Sequence, residues 1–129
     1  METEEGYDKA VWQQLCTDLG LPAVHIPEAD GGQGFGFVEL GIVLEEMGRA
    51  LLCAPYFASA VLAANAILNV GSEDQKRELL PDIASGETIA TLALAEDSGR
   101  WDSSGIAMTA TSSSDGYVLD GVKSFVLDG

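Results

Sequence analysis

Residues 88–102, TIATLALAEDSGRWD, divide the chain into two parts of different period. Before them, apolar residues recur at helical spacing. After them come short alternating runs broken by Gly and Asp. Helical pattern first and strand pattern second predicts an α+β chain, a multi-helix bundle followed by antiparallel strands. The run 89–95 is apolar and lies between Gly86 and the polar cluster Glu96-Asp97-Ser98-Gly99. That pattern predicts one buried strand opening into a loop. A loop leaving a rigid strand at a domain junction is a favoured place to bind a small molecule.

Four helices are expected in the first part. The first, over 7–19, places Val11, Trp12, Leu15, Cys16 and Leu19 on one face, with Gly20 as its stop. Pro22 and Pro27 forbid a helix in the link that follows, and Gly31, Gly32, Gly34 and Gly36 crowd its end. This glycine set invites a phosphate-loop reading, but it lacks Gly-Lys-Ser/Thr and follows no long strand. A tight turn that lets the second helix start, over 38–51, is the other reading. Glu45 and Arg49 read there as an i,i+4 pair. The third helix, over 57–70, is apolar nearly all round and so central, its alanines allowing close approach. Ser72 and Gln75 form a capping box for the fourth, which ends at Gly86, with Pro81 marking a kink or a fresh start.

In the second part, the serine-rich stretch 112–116 reads as a turn. The runs 117–119 and 122–127 read as a hairpin around Asp120-Gly121, a type I′ pair. Residues 1–88 and 89–129 are the expected domains.

The formal charge of −15 argues against nucleic acid and against an anionic membrane surface. No apolar run nears the ~20 residues of a membrane helix, and the acidic N-terminus is unlike a signal peptide. Cys16 and Cys53 form no metal or redox motif and read as two buried thiols of a reduced, cytoplasmic protein. His25 is the one histidine and reads as a surface or half-buried structural residue. Residue chemistry alone marks no catalytic residue and no metal site.

Four stretches, in order, resemble the acyl-CoA dehydrogenase family. They are LGLPAVHIPEADGGQG at 19–34, VLEEMGR at 43–49, GSEDQK through LPDIASGE at 71–87, and GYVLDGVKSFV at 116–126. The resemblance implies a helical N-terminal domain and the first strands of an incomplete β-barrel. It also implies a site where FAD and an acyl-CoA thioester meet. A carboxylate takes the α-proton while the flavin takes a hydride from the β-carbon, in a protein that oligomerises and serves lipid metabolism through an electron-transfer partner. The family's base lies far downstream of residue 129, so the resemblance assigns this chain no catalytic residue. The chain alone is expected not to retain FAD, because half a pocket cannot bury a flavin.

On the same resemblance, Leu92, Leu94, Ala95, Phe125, Val126 and Leu127 are candidates for the flavin wall, although Leu92 and Leu94 serve equally as barrel core. Glu96, Arg100, Trp101 and Asp102 are candidates for the substrate-side loop. Ala95 stands where the family has a flavin-bonding threonine, Trp101 where it has a serine, and Leu127 where it has a threonine. These losses keep two other readings open: a non-catalytic subunit that completes a partner's interface, and a helical interaction module. The segment 122–127 is expected to fray as a sheet edge, with Lys123 as its charged gatekeeper.

Overall fold

A computed structural model describes residues 6–129; the acidic opening residues 1–5 lie outside it. The chain forms two compact units divided between Ala90 and Thr91.

The first unit holds α1 (Lys9–Thr17), α2 (Phe37–Arg49), α3 (Ala64–Val70) and α4 (Glu73–Ser85). The third helical region opens with a π-helical stretch, Phe57–Ala63, that runs directly into α3. Asp8 starts α1: its carboxylate accepts the Ala10 and Val11 N–H groups at 2.8 and 3.2 Å. Ser72 and Gln75 make the expected reciprocal bonds at the start of α4, at 3.2 and 2.9 Å. Gly86 ends that helix with φ +75°, a left-handed conformation that costs glycine little.

Pro81 neither stops nor restarts α4, which is one helix through to Ser85. Its ring packs on the glycine link, where a Cβ on Gly31 would sit 3.2 Å from the Pro81 Cα.

That link is a backbone clasp. The N–H groups of Gly31, Gly32, Gln33, Gly34 and Phe35 donate to the carbonyls of Glu28, Pro27, Ala23, Ile26 and Val24. The Gly36 N–H donates to the Glu39 carboxylate. With six successive donors committed, no nest remains for a phosphate, and the tight-turn reading holds.

Two apolar clusters fill the helical unit. One joins Ala23, Ile26, Ala64, Leu80, Ile83 and Ala84. The other joins Trp12, Cys16, Leu40, Tyr56 and Ala60. Ala58, Ser59 and Ala60 in the π-helical stretch are fully buried, as a central small-residue helix requires. The buried polar tips find partners: the Trp12 indole donates to the Gly86 carbonyl at 3.2 Å and the Tyr56 hydroxyl to the Leu21 carbonyl at 2.9 Å.

Three expectations need correction here. The Arg49 guanidinium pairs with Glu46, one turn position nearer than Glu45, at 2.8 Å on the exposed surface; both spacings bring side chains together on a helix. Cys16 is buried, but Cys53 is exposed, because it follows the end of α2 and falls outside both clusters. His25 is buried rather than at the surface. Its Nε2 lies 3.2 Å from the Asn65 side-chain amide, which also donates to the Val61 carbonyl at the junction between the π-helical stretch and α3.

The second unit contains one antiparallel pair, β1 (Thr109–Ser113) and β2 (Gly116–Asp120). The register runs from Thr109↔Asp120 to Ser113↔Gly116, so Ser114 and Asp115 form the two-residue loop. The hairpin therefore closes one turn earlier than Asp120-Gly121. The run 122–127, expected as its second arm, is not a strand. Phe125 has φ +55°, which turns the chain out of the extended conformation. The run 89–95 is likewise not a strand, since an extended segment without a continuous ladder partner forms only isolated bonds.

Candidate functional site

The second unit brings the two candidate wall segments side by side. The Ser124 N–H donates to the Ala95 carbonyl at 2.8 Å. The Thr91 hydroxyl donates to the Leu127 carbonyl at 2.6 Å, and the Ser124 hydroxyl bonds the Asp97 carboxylate at 3.1 Å. Residues 91–97 and 122–127 thus run past each other in opposite directions, joined at several points without forming a ladder.

Glu96 is the polar centre of this arrangement. Its carboxylate accepts from the Ala107 N–H at 2.6 Å and from the Met108 N–H at 3.1 and 3.2 Å. Lys123 donates to it at 2.7 Å and to the Leu94 carbonyl at 3.3 Å. The pair is largely buried, the Lys123 side chain being 18% exposed and that of Glu96 9%. The bond from Lys123, then those from the Ala107 and Met108 amides, hold the Glu96 pKa down to about 2 against the opposing effect of burial.

Lys123 is therefore an internal partner and not an exposed gatekeeper. Reading it as a gatekeeper followed from its place as the lone charge in an apolar run. The same placement was the available signal for burial with a carboxylate, because a cation flanked by apolar residues needs one. Ala107, Met108 and Ser124 were not singled out by sequence. They contribute backbone groups and a hydroxyl, which carry no compositional mark.

The loop after Glu96 organises itself. Asp102 accepts from the Ser104 N–H at 2.8 Å and from the Ser104 hydroxyl. Arg100 donates to the Ser104 hydroxyl at 3.0 Å, and the Ser98 hydroxyl donates to the Gly105 carbonyl at 3.3 Å. The Ser104 bonds lower the Asp102 pKa. Arg100 and Asp102 are thus joined through one serine, while Trp101 between them is 70% exposed. A cleft of about 260 Å³ opens among residues that include Glu96, Ser98, Gly105 and Met108. It is small beside ligand sites of roughly 300–1,000 Å³.

The wall candidates divide by exposure. Ala95 is buried, Leu94 and Val126 are half-buried, and Leu92, Phe125 and Leu127 are exposed. Phe125 combines a left-handed backbone with a ring that is 79% exposed. No group of three or more His, Cys, Asp or Glu among the described residues is placed to hold a metal. No helix among them is long and apolar enough to cross a membrane.

A helical bundle followed by antiparallel β structure is the class that these features define. The profile of the family "Acyl-CoA dehydrogenase, N-terminal domain" matches residues 1–87, and the chain belongs to the acyl-CoA dehydrogenase family. Mitochondrial isovaleryl-CoA dehydrogenase of Bos taurus is 36% identical over 120 residues, 92% of this chain and 28% of that protein. Among solved structures, a variant of the Tcur3481-Tcur3483 steroid ACAD superposes with TM-score 0.84 at 37% identity, covering 98% of this chain and 34% of that one. The ChsE4-ChsE5 complex of Mycobacterium tuberculosis gives 0.82 at 33% identity, covering 97% and 33%. An acyl-CoA dehydrogenase of Bacillus anthracis complexed with FAD gives 0.77 at 30% identity, covering 91% and 20%. The chain thus spans about a third or less of the proteins it matches.

The residues present fit a flavin as an apolar support and not as a set of polar donors. Leu92, Phe125 and Leu127 are exposed apolar side chains on two adjoining segments. Ala95 and Leu127 have no hydroxyl to offer. Among the described residues the sole buried side-chain polar atom without a partner is His25 Nδ1, in the other unit.

Proposed function

We propose that this chain supplies the helical domain and part of the flavin wall of an enzyme that oxidises an acyl-CoA thioester to its 2,3-enoyl form. Membership of the family supports this class of reaction. The observation that carries the reading is the pairing of residues 91–97 with 122–127, which puts both candidate wall segments in one place. The chemistry that FAD supplies when bound is acceptance of the hydride from the substrate β-carbon. Leu92, Phe125 and Leu127 cover an aromatic ring system and keep water from it, while Leu94, Ala95 and Val126 back that surface. Arg100, Trp101 and Asp102 shape the substrate-side loop, and Glu96 fixes its origin.

The functional boundary is proposed at 88/89, two residues before the division of the compact units. The base that takes the α-proton is supplied from outside this chain, and the chain alone does not retain FAD. The protein oligomerises, passes electrons to a separate partner, and works in the cytoplasm, where the exposed Cys53 thiol stays reduced. The test is flavin absorbance of the whole gene product, followed while acyl-CoA thioesters of different chain length are added. Bleaching by at least one thioester is expected; a product that binds no flavin would refute the reading.

A second reading has its own observation. Ala95 and Leu127 leave the wall without side-chain hydroxyls, which suits a silent subunit whose partner performs the oxidation. Flavin-free protein that copurifies with an active partner would favour it.

A further inference from the structure

Glu96 reaches three separate segments of the second unit. It sits on 91–97, accepts the two amides that lead into β1, and takes the ammonium of Lys123 from the third segment. Lys123 also holds the Leu94 carbonyl. No buried apolar cluster lies in this unit among the described residues, so beside the β1–β2 ladder the pair is the tie that joins all three segments. Replacing a buried ion pair by apolar residues is often neutral for stability, whereas removing one partner leaves an uncompensated charge. Such a pair suits a role in fixing register. Register matters here because a shift of one residue turns an extended segment's side chains to the opposite face. Two residues beyond Lys123, Phe125 holds its ring in solvent from a left-handed backbone, a conformation that the surrounding structure must enforce.

We propose that the Glu96–Lys123 ion pair is a positioning device that locks residues 122–127 against residues 91–97, so that Leu92, Phe125 and Leu127 present one ligand-facing wall. Its value for the flavin rests on the functional reading above; its value for the geometry of the unit does not. Neither side chain is a catalytic residue, since both act through the segments they hold.

Amide hydrogen exchange on this 129-residue chain tests the geometric half. In the unaltered protein the Ala107, Met108 and Ser124 amides are protected, because each donates to a partner. Lys123→Met and Glu96→Gln should each speed exchange at Ser124 by about tenfold or more, while Leu80 in α4 stays protected. Lys123→Arg, which keeps the charge and a donor, should restore protection to within about threefold. Unchanged Ser124 exchange in Lys123→Met would overturn the proposal. So would failure of Lys123→Arg to rescue while Leu80 remains protected.

The flavin half is read on the whole gene product by equilibrium FAD binding and the bound-flavin spectrum. Lys123→Met should raise the FAD dissociation constant by about tenfold or more, and Lys123→Arg should restore it. Arg77→Met, which removes an exposed pair in α4, should leave it unchanged. Equal FAD affinity in Lys123→Met and the unaltered protein would overturn this half. If the unaltered protein binds no FAD, the functional reading fails, and the exchange result still decides the role of the pair.

Discussion

The two units solve the same problem with different forces. In residues 6–90 the work is done by burial: Ile26, Ala58, Ala60, Ala64 and Leu80 have no exposed surface at all. In residues 91–129 every residue of β1 and β2 is exposed, and Ala95, Glu96 and Gly105 are the buried residues described there. Shape in the second unit comes from one ion pair and a few backbone bonds that cross long stretches of sequence. Apolar packing tolerates approximate geometry and gives large energies. Directed polar ties give less energy but fix which residues lie opposite each other.

The largest break in this contrast should come from Leu80→Ala. Its side chain lies fully buried in a cluster with Ile26 and Ala64. The loss should be about 2–5 kcal/mol, the range for large-to-small core changes, read from urea unfolding of the helical far-ultraviolet signal. A loss below about 1 kcal/mol would mean that the site collapses to fill the cavity.

A smaller effect should follow from Ser72→Ala, which removes an N-cap whose oxygen accepts the Gln75 amide. About 1 kcal/mol is expected, with faster amide exchange confined to the first turn of α4. No change in that turn would show that Gln75 alone secures it.

Acid should separate the units without mutation. Burial lowers the His25 pKa below its ordinary 6.5. The unfolded chain therefore takes up the proton first, and the helical unit loses stability as pH falls below about 6.5. Glu96 works in the opposite range: its pKa is lowered from 4.5 to about 2, so its contribution is full above 4.5 and lost between there and about 2. Amide resonances of the helical unit should weaken first on acidification, and His25→Gln should remove that early step. Simultaneous loss of both units would refute the assignment of these two groups.

The smallest effect should come from Val118→Ser, on an exposed strand face. A change within about 0.5 kcal/mol is expected. A larger loss, seen by the same urea titration, would show that β2 is covered in solution.

The same contrast explains what the sequence made legible. Helix ends were readable where their causes are local: Ser72 with Gln75 at the start of α4 and Gly86 at its stop, whereas α1 ends at Thr17, ahead of Gly20. Trp12 and Cys16 were placed in the core by spacing alone. The hairpin was misplaced because Asp120-Gly121 is the stronger local turn signal, while the partner of 122–127 lies 27 residues away at Glu96 and Asp97. A turn signal cannot report a distant tie. The change to π-helical geometry over Phe57–Ala63 was invisible for a related reason: the same alanines suit either helix. Of the candidate site, Glu96 and residues 91–97 and 122–127 were singled out through the family resemblance, and the ion pair that Lys123 makes with Glu96 was not.

The bond between the Trp12 indole and the Gly86 carbonyl joins residues 74 apart. Beside it, a side chain on Gly86 would run into the Cys16 sulfur. This contact has a consequence in time. Closing a loop of that length costs on the order of 4 kcal/mol of chain entropy, so this one bond forms only when the end of α4 is in place. Cys16 reports that closure: once α1 docks, its thiol is buried and its pKa is pushed up to about 11, which closes it to alkylating reagents that reach it freely beforehand.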